Sequence, residues 1–420
     1  MTARERRTAA PAFDYDRKSE NYMNVERTKK ARWGYLILGV ALLLCLGLIY
    51  AWSVFRAPLE AEFGWSKAQT SVTFSISMMM FCLGGLVSGI VTGKKGPRFT
   101  LICCAACLFI GFAAASRISS LPGIYVTYGV FCGFGVGLGY NATISTTMRW
   151  FPDKQGLVSG ITLMGFGFGG MLLGTLGASL ITALGWRRTF LIFAAAFAVI
   201  MLAGALLLRT AEDAFVEVMT TGGKKRDAVE EVPWRDMLRR RNFWLCFLWA
   251  IILSAAGLAI INESTTYAAT FVGGDLTRAA AIAGMVSIAN GVGRVISGQL
   301  FDTAGYRVTM LSVSVLYAAS TAALVASLRT DSVPVLIVAF LLVGLAYGGV
   351  PPTNSAFVAY FFGRKHYPLN FSIINMNLIA ASYLGPLCGG GSYMGIFMAI
   401  LAFAIVGAVL TLLVRKPSGV

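Results

Sequence analysis

Gly89-Ile-Val-Thr-Gly93-Lys-Lys-Gly96-Pro-Arg98 and Gly298-Gln-Leu-Phe-Asp302-Thr-Ala-Gly305-Tyr-Arg307 are variants of one segment. They align without a gap, 209 residues apart. A second pair, Trp150-Phe151 and Tyr360-Phe361, lies 210 residues apart. Each copy of the first segment ends one long apolar stretch and leads into another. A repeat at half the chain length implies two structural halves built alike, in parallel.

The stretches around these segments settle the setting. Of 420 residues, 57% are hydrophobic and 13% charged, against about 25% charged in a soluble domain. Hydropathy predicts twelve spans: 33–55, 67–92, 99–116, 122–148, 156–183, 187–208, 243–270, 278–301, 307–328, 333–358, 371–391 and 393–414. Each is long enough to cross a bilayer as a helix. The expected fold is an all-α membrane protein of twelve transmembrane helices in two six-helix, pseudo-symmetric halves. The expected organisation is a tail over 1–32, a half over 33–208, a linker over 209–242, a half over 243–414 and a short tail over 415–420.

The net charge of +16 would suggest nucleic acid on a soluble chain. Here its placement argues for a bilayer instead, and no nucleic-acid partner is expected. An even number of spans puts both termini on one side. With that side inside, inner segments and span edges hold 27 of the 35 Lys and Arg, and outer loops hold seven: Arg56, Lys67, Arg117, Arg187, Arg188, Arg278 and Arg329. The positive-inside rule then predicts an inner-membrane protein with both termini cytoplasmic. The linker charges Lys224, Lys225, Arg226 and Arg239 to Arg241 read as a solvated segment near anionic headgroups.

Cysteines and glycines carry less. All eight Cys lie in apolar stretches and the one His is His366, so a buried thiol is the expected state, with no metal and no cofactor. Gly133-x-Gly135-x-Gly137-x-Gly139 follows no strand and lies in a span, so it is no nucleotide loop. Gly160 to Gly177 holds seven glycines, suited to close helix packing. Asn141-Ala-Thr143 reads as a glycosylation sequon but sits within a span.

The repeated segment resembles the loop signature of major facilitators, with Gly298, Asp302, Gly305 and Arg307 in the second-half copy. The resemblance implies gating between the second and third helices of each half, with Asp302, Gly298, Arg307 and Arg98 as gating residues. Asp302 and Arg307 can pair or cap a helix end. The first copy departs from the pattern, with Gly93 where Asp is expected. A narrower resemblance rests on Tyr50-Ala-Trp52-Ser-Val-Phe, Gly139-Tyr140-Asn141, Arg149-Trp-Phe-Pro-Asp-Lys-Gln-Gly156 and Asn290-Gly-Val-Gly-Arg294. These are similar to the oxalate/formate antiporter family, a branch related to monocarboxylate transporters. The implied function is secondary transport of small carboxylates by alternating access, with proton symport and anion exchange both open. The expected substrates are monocarboxylates such as lactate, pyruvate and formate; the alternatives are an oxalate/formate-type dicarboxylate antiporter and an exporter of another class, such as drugs. An enzyme is not expected, and a monomer is.

Arg294 is the leading candidate. A lone Arg at membrane depth costs at least about 2.5–3.5 kcal/mol on insertion scales, so it persists where it faces a cavity or a partner. Its guanidinium matches a carboxylate through two parallel hydrogen bonds. The resemblance implies that it binds the substrate carboxylate. Asn290 lies one turn earlier on the same face. An Asp is used at this position for proton coupling in the monocarboxylate transporters, and Asn cannot titrate. The second cation of oxalate carriers is absent, since Phe371 to Leu413 contains no Lys or Arg. Glu263 is the main intramembrane carboxylate, a candidate for coupling. Tyr50, Tyr140, Asn141, Tyr347, Asn377 and Tyr383 complete the candidate binding set, with Asn354 and Asn375 as polar groups at similar depth. Each of these is read equally as glue between helices, since buried polar groups need partners.

Overall fold

The computed structural model describes residues 31–212, 215–216, 219, 230–387 and 392–415. Expectations for the rest of the first tail, the middle of the linker, Cys388 and the last five residues lie outside this set.

Each of the twelve apolar segments falls on helix within the described residues. Helix α1 is Ala31–Phe63, tightened to a 3-10 turn over Gly47–Ala51. The helix Lys67–Ala115 breaks at Gly96, with φ 81° and ψ 168°, giving α2 (67–95) and α3 (97–115). Leu121–Arg149 is α4, Gln155–Leu184 α5, Trp186–Leu207 α6 and Arg241–Phe271 α7. Leu276–Thr330 breaks at Gly305, with φ 83° and ψ 174°, giving α8 (276–304) and α9 (306–330). Val333–Phe362 is α10. The eleventh segment forms α11a, Tyr367–Asn375, and α11b, Asn377–Leu387. Tyr393–Leu413 is α12.

The two breaks stand 209 residues apart, so the sequence repeat is also a backbone repeat. Both use a positive φ that glycine adopts without strain. Among the described residues, nine helices are individually long and apolar enough to cross a membrane, and two of these contain the breaks. The surface carries many apolar side chains, including Ile37, Val199, Leu206, Val315 and Leu412, as a lipid-facing bundle requires.

Both described chain ends and the linker gather at one end of the bundle, the linker end. There Arg32 pairs with Asp153 at 2.7 Å. Arg149 Nε donates to Ala211 O at 3.1 Å and Trp150 Nε1 to Arg209 O at 2.8 Å. Val232 N–H donates to Phe362 O at 3.0 Å, and Asn242 Nδ2 to Arg415 O at 2.8 Å. The run Arg149 to Lys154 is thus a junction that holds the start of α1 and the linker against α4.

Candidate functional site

A central cavity lies between the halves. It is lined by Tyr50, Phe81, Tyr140, Phe166, Ser254, Arg294, Tyr347, Val350, Pro351, Asn354, Asn375, Asn377 and Leu378, and its empty volume is about 420 Å³ counting space open to solvent. Arg294 is 4% exposed. Its Nε donates to Asn290 Oδ1 at 3.1 Å and its Nη1 to Leu163 O at 2.5 Å. The first bond follows from the spacing of one helical turn; the second reaches across to α5 of the other half. Gly167 of α5 leaves room for the head group, since a Cβ there would stand 3.3 Å from the guanidinium carbon. Among the described residues Arg294 has no carboxylate partner, and its Nη2 makes no hydrogen bond to them.

The cavity walls differ. From the first half come aromatic faces. Tyr140 meets Phe81 edge-on at 5.0 Å and Phe166 at 4.9 Å, and Tyr50 meets Phe166 at 5.2 Å. From the second half come Arg294, Tyr347 and four small polar groups, Ser254, Asn354, Asn375 and Asn377. Asn375 and Asn377 flank a break in the eleventh segment. The ladder tightens there to three-residue steps, Met376 N–H to Ile373 O at 3.2 Å and Ile379 N–H to Met376 O at 3.1 Å. Asn377 Nδ2 closes the gap by donating to Ile374 O at 2.6 Å.

The site therefore gathers Arg294, Asn290, Tyr50, Tyr140, Tyr347 and Asn377 of the expected set. Three others lie elsewhere. The Asn141 amide nitrogen stands within donating distance of Gly85 O (3.2 Å), Pro368 O (2.8 Å) and Ser372 Oγ (2.8 Å), joining α2 and α4 to α11a. It is a seam residue, not a cavity residue, because its side chain turns toward the linker end. Tyr383 is 58% exposed and lines no part of the cavity. Glu263 borders a separate small void with Ser264, Tyr267, Phe340, Tyr393 and Phe397, between α7, α10 and α12. It does not reach Arg294 here. Phe81, Phe166 and Leu378 line the cavity without any sequence signal, being apolar residues within apolar spans.

The linker end is closed by two seams between the halves. In one, α8 packs on the start of α5: the Asp302 carboxylate accepts the N–H of Gly156 and of Leu157, each at 2.9 Å. Those are donors that a helix start leaves unpaired. Gly156 and Gly298 lie back to back, and a Cβ on either would strike the other's carbonyl oxygen. In the other seam, α2 packs on the start of α11a through Gly89, where a Cβ would stand 2.7 Å from Leu369 Cα. Asn141 and Ser372 hydrogen bonds reinforce it. Arg364 Nη2 also reaches Pro152 O at 2.9 Å. Of the remaining gating candidates, Arg307 donates to Val414 O at 3.2 Å and Arg98 is exposed.

A family model described as Major Facilitator Superfamily matches residues 37–377 and 272–419. The chain is 28% identical over 347 residues to the oxalate:formate antiporter of Oxalobacter formigenes, covering 80% of each chain. It is 25% identical over 391 residues to monocarboxylate transporter 13 of Rattus norvegicus, covering 90% of this chain and 87% of that one. Among solved structures, it is similar in fold to FucP, a major facilitator transporter in the outward conformation, with a TM-score of 0.67, 14% identity and coverage of 91% and 100%.

Proposed function

The chain belongs to the Major Facilitator Superfamily, and we propose that it is a secondary carrier of small organic monocarboxylates. The carrying observation is Arg294: a buried guanidinium in a cavity between two halves, without a carboxylate partner among the described residues. A monocarboxylate guest supplies the missing charge through the bidentate geometry that suits Arg. The names of two relatives, an oxalate:formate antiporter and a monocarboxylate transporter, support the same class. The closed linker end corresponds to a state that receives substrate from the far side. By the charge bias, that side is the exterior of an inner membrane, and both termini are cytoplasmic.

A dicarboxylate antiporter is the second reading, favoured by the name of the Oxalobacter relative. The cavity argues against it. The eleventh segment offers no Lys or Arg, so a second carboxylate would enter without a partner charge, at a cost of several kcal/mol.

The empty carrier must reorient with Arg294 uncompensated. Exchange, with an anion on both sides, avoids that step and should outrun net uptake. Uptake of labelled lactate, pyruvate, formate and oxalate into proteoliposomes, with and without an imposed pH gradient, tests the reading. Monocarboxylates should be taken up and should outcompete oxalate. Oxalate as the strongest competitor would overturn the one-cation argument.

A further inference from the structure

Arg294 explains how one end of a substrate is held, but not what the rest of the cavity recognises. The polar groups away from Arg294 are neutral: the carboxamides of Asn354, Asn375 and Asn377 and the hydroxyl of Ser254. All are at least nine-tenths buried. Three of them are already engaged. Asn377 donates to Ile374 O and faces Ser254 Oγ at 3.4 Å. Asn354 Oδ1 accepts a weak bond from the Cys246 thiol at 3.9 Å.

Asn375 differs. It is 8% exposed and lines the cavity, its carboxamide bonds no described residue, and its polar atoms are not among the enclosed unpaired groups, unlike Asn141 Oδ1 and Asn370 Oδ1. An amide that opens to a cavity without a protein partner is completed by water or by a guest. It stands at the helix break, where the chain has given up regular ladder spacing. The opposite wall offers the aromatic faces of Phe81 and Phe166 and, close to Arg294, the hydroxyls of Tyr50 and Tyr140.

The geometry points to Asn375 as a specificity residue that recognises a neutral polar group on the substrate, a hydroxyl or an oxo oxygen, while Arg294 holds the carboxylate. This deepens the proposed function and rests on it. A carboxamide presents both a donor and an acceptor, so it can serve a hydroxy acid and an oxo acid alike. An unsubstituted alkanoate strands the amide against an apolar tail. A second carboxylate brings a charge to a place that holds no cation.

The test is inhibition of labelled lactate uptake in proteoliposomes by unlabelled lactate, pyruvate, propionate and oxalate. Propionate differs from lactate by one hydroxyl, so the pair isolates the contact. In the wild type, propionate should inhibit about tenfold more weakly than lactate, the usual effect of stranding one buried polar group. In Asn375→Ala the gap should close to within about threefold through a loss on the lactate side, with propionate nearly unchanged. Should that variant fail to insert, Asn375→Leu, which keeps the side-chain volume and removes both polar atoms, gives the same comparison. Propionate equal to lactate in the wild type, or a gap that survives in Asn375→Ala, overturns the inference and leaves the carboxylate reading standing. Absence of lactate uptake, with no inhibition of any substrate by these acids, overturns both.

Discussion

The two seams at the linker end occupy equivalent places in the repeat, yet they are built differently. At α8 and α5, Asp302 accepts two backbone N–H groups, from the second and third residues of α5. At α2 and α11a, Gly93 stands where that carboxylate would be, and the second residue of α11a is Pro368, which has no N–H to offer. Acceptor and donor are missing together. The second seam is held instead by glycine packing and by the Asn141 amide bonding Pro368 O and Ser372 Oγ. One seam depends on a charge at a helix start and the other on neutral hydrogen bonds. The walls of the cavity repeat this division: the second half carries the cation and the amides, and the first half carries aromatic faces.

Filling a seam should have the largest effect. Gly298→Val should cut transport by more than about a hundredfold while leaving insertion intact, because a branched side chain has nowhere to go between two backbones. Normal transport by this variant would show that the close contact is not used in the cycle. A smaller effect is expected for Asp302→Asn. It keeps the shape and removes the charge, so the linker-end-closed state should lose about tenfold in population. In a Ser372→Cys background, thiol reactivity toward an impermeant reagent added from the linker side reads this directly. Reactivity should be low where Asp302 is intact and should rise when Asp302→Asn is added.

Restoring the missing carboxylate to the second seam should have a smaller effect still. Gly93→Asp alone should change the same reactivity by less than about twofold, since Pro368 leaves one donor fewer to accept from. Combined with Pro368→Ala it should lower reactivity, if the second seam can be converted to the first type. Equal effects of Gly93→Asp with and without Pro368→Ala would contradict the paired loss. A similarly small effect, confined to net uptake, is expected at Glu263, whose void is separate from the cavity. Glu263→Gln should leave exchange unchanged and slow net uptake by no more than about threefold. Rates of both modes in the same vesicles check this.

Much of the fold was legible because apolar length is a local signal: each of the twelve segments falls on helix in the described residues. Arg294 was legible for a related reason, as a charge within an apolar run. The aromatic wall was not, since Phe81 and Phe166 differ from other span residues only in where their faces turn. Asn141 was read at this depth as either a substrate contact or glue between helices, and its bonds to α2 and α11a are of the second kind. Depth says that an amide needs partners, and only the packing of α4 against α11a supplies them. The break at Met376 has no glycine or proline at it to announce it. The separation of Glu263 from Arg294 depends on helix rotation within the second half, which a span boundary does not fix.

Transport is expected to depend on one cation, Arg294, meeting one carboxylate. Uptake of labelled lactate should be measured in proteoliposomes holding matched amounts of wild type, Arg294→Ala and Arg294→Lys, with insertion verified for each. Arg294→Ala should lose uptake by more than about a hundredfold, and Arg294→Lys by about tenfold or more, because a point charge cannot reproduce the planar two-bond grip. Wild-type uptake by Arg294→Ala would contradict the account.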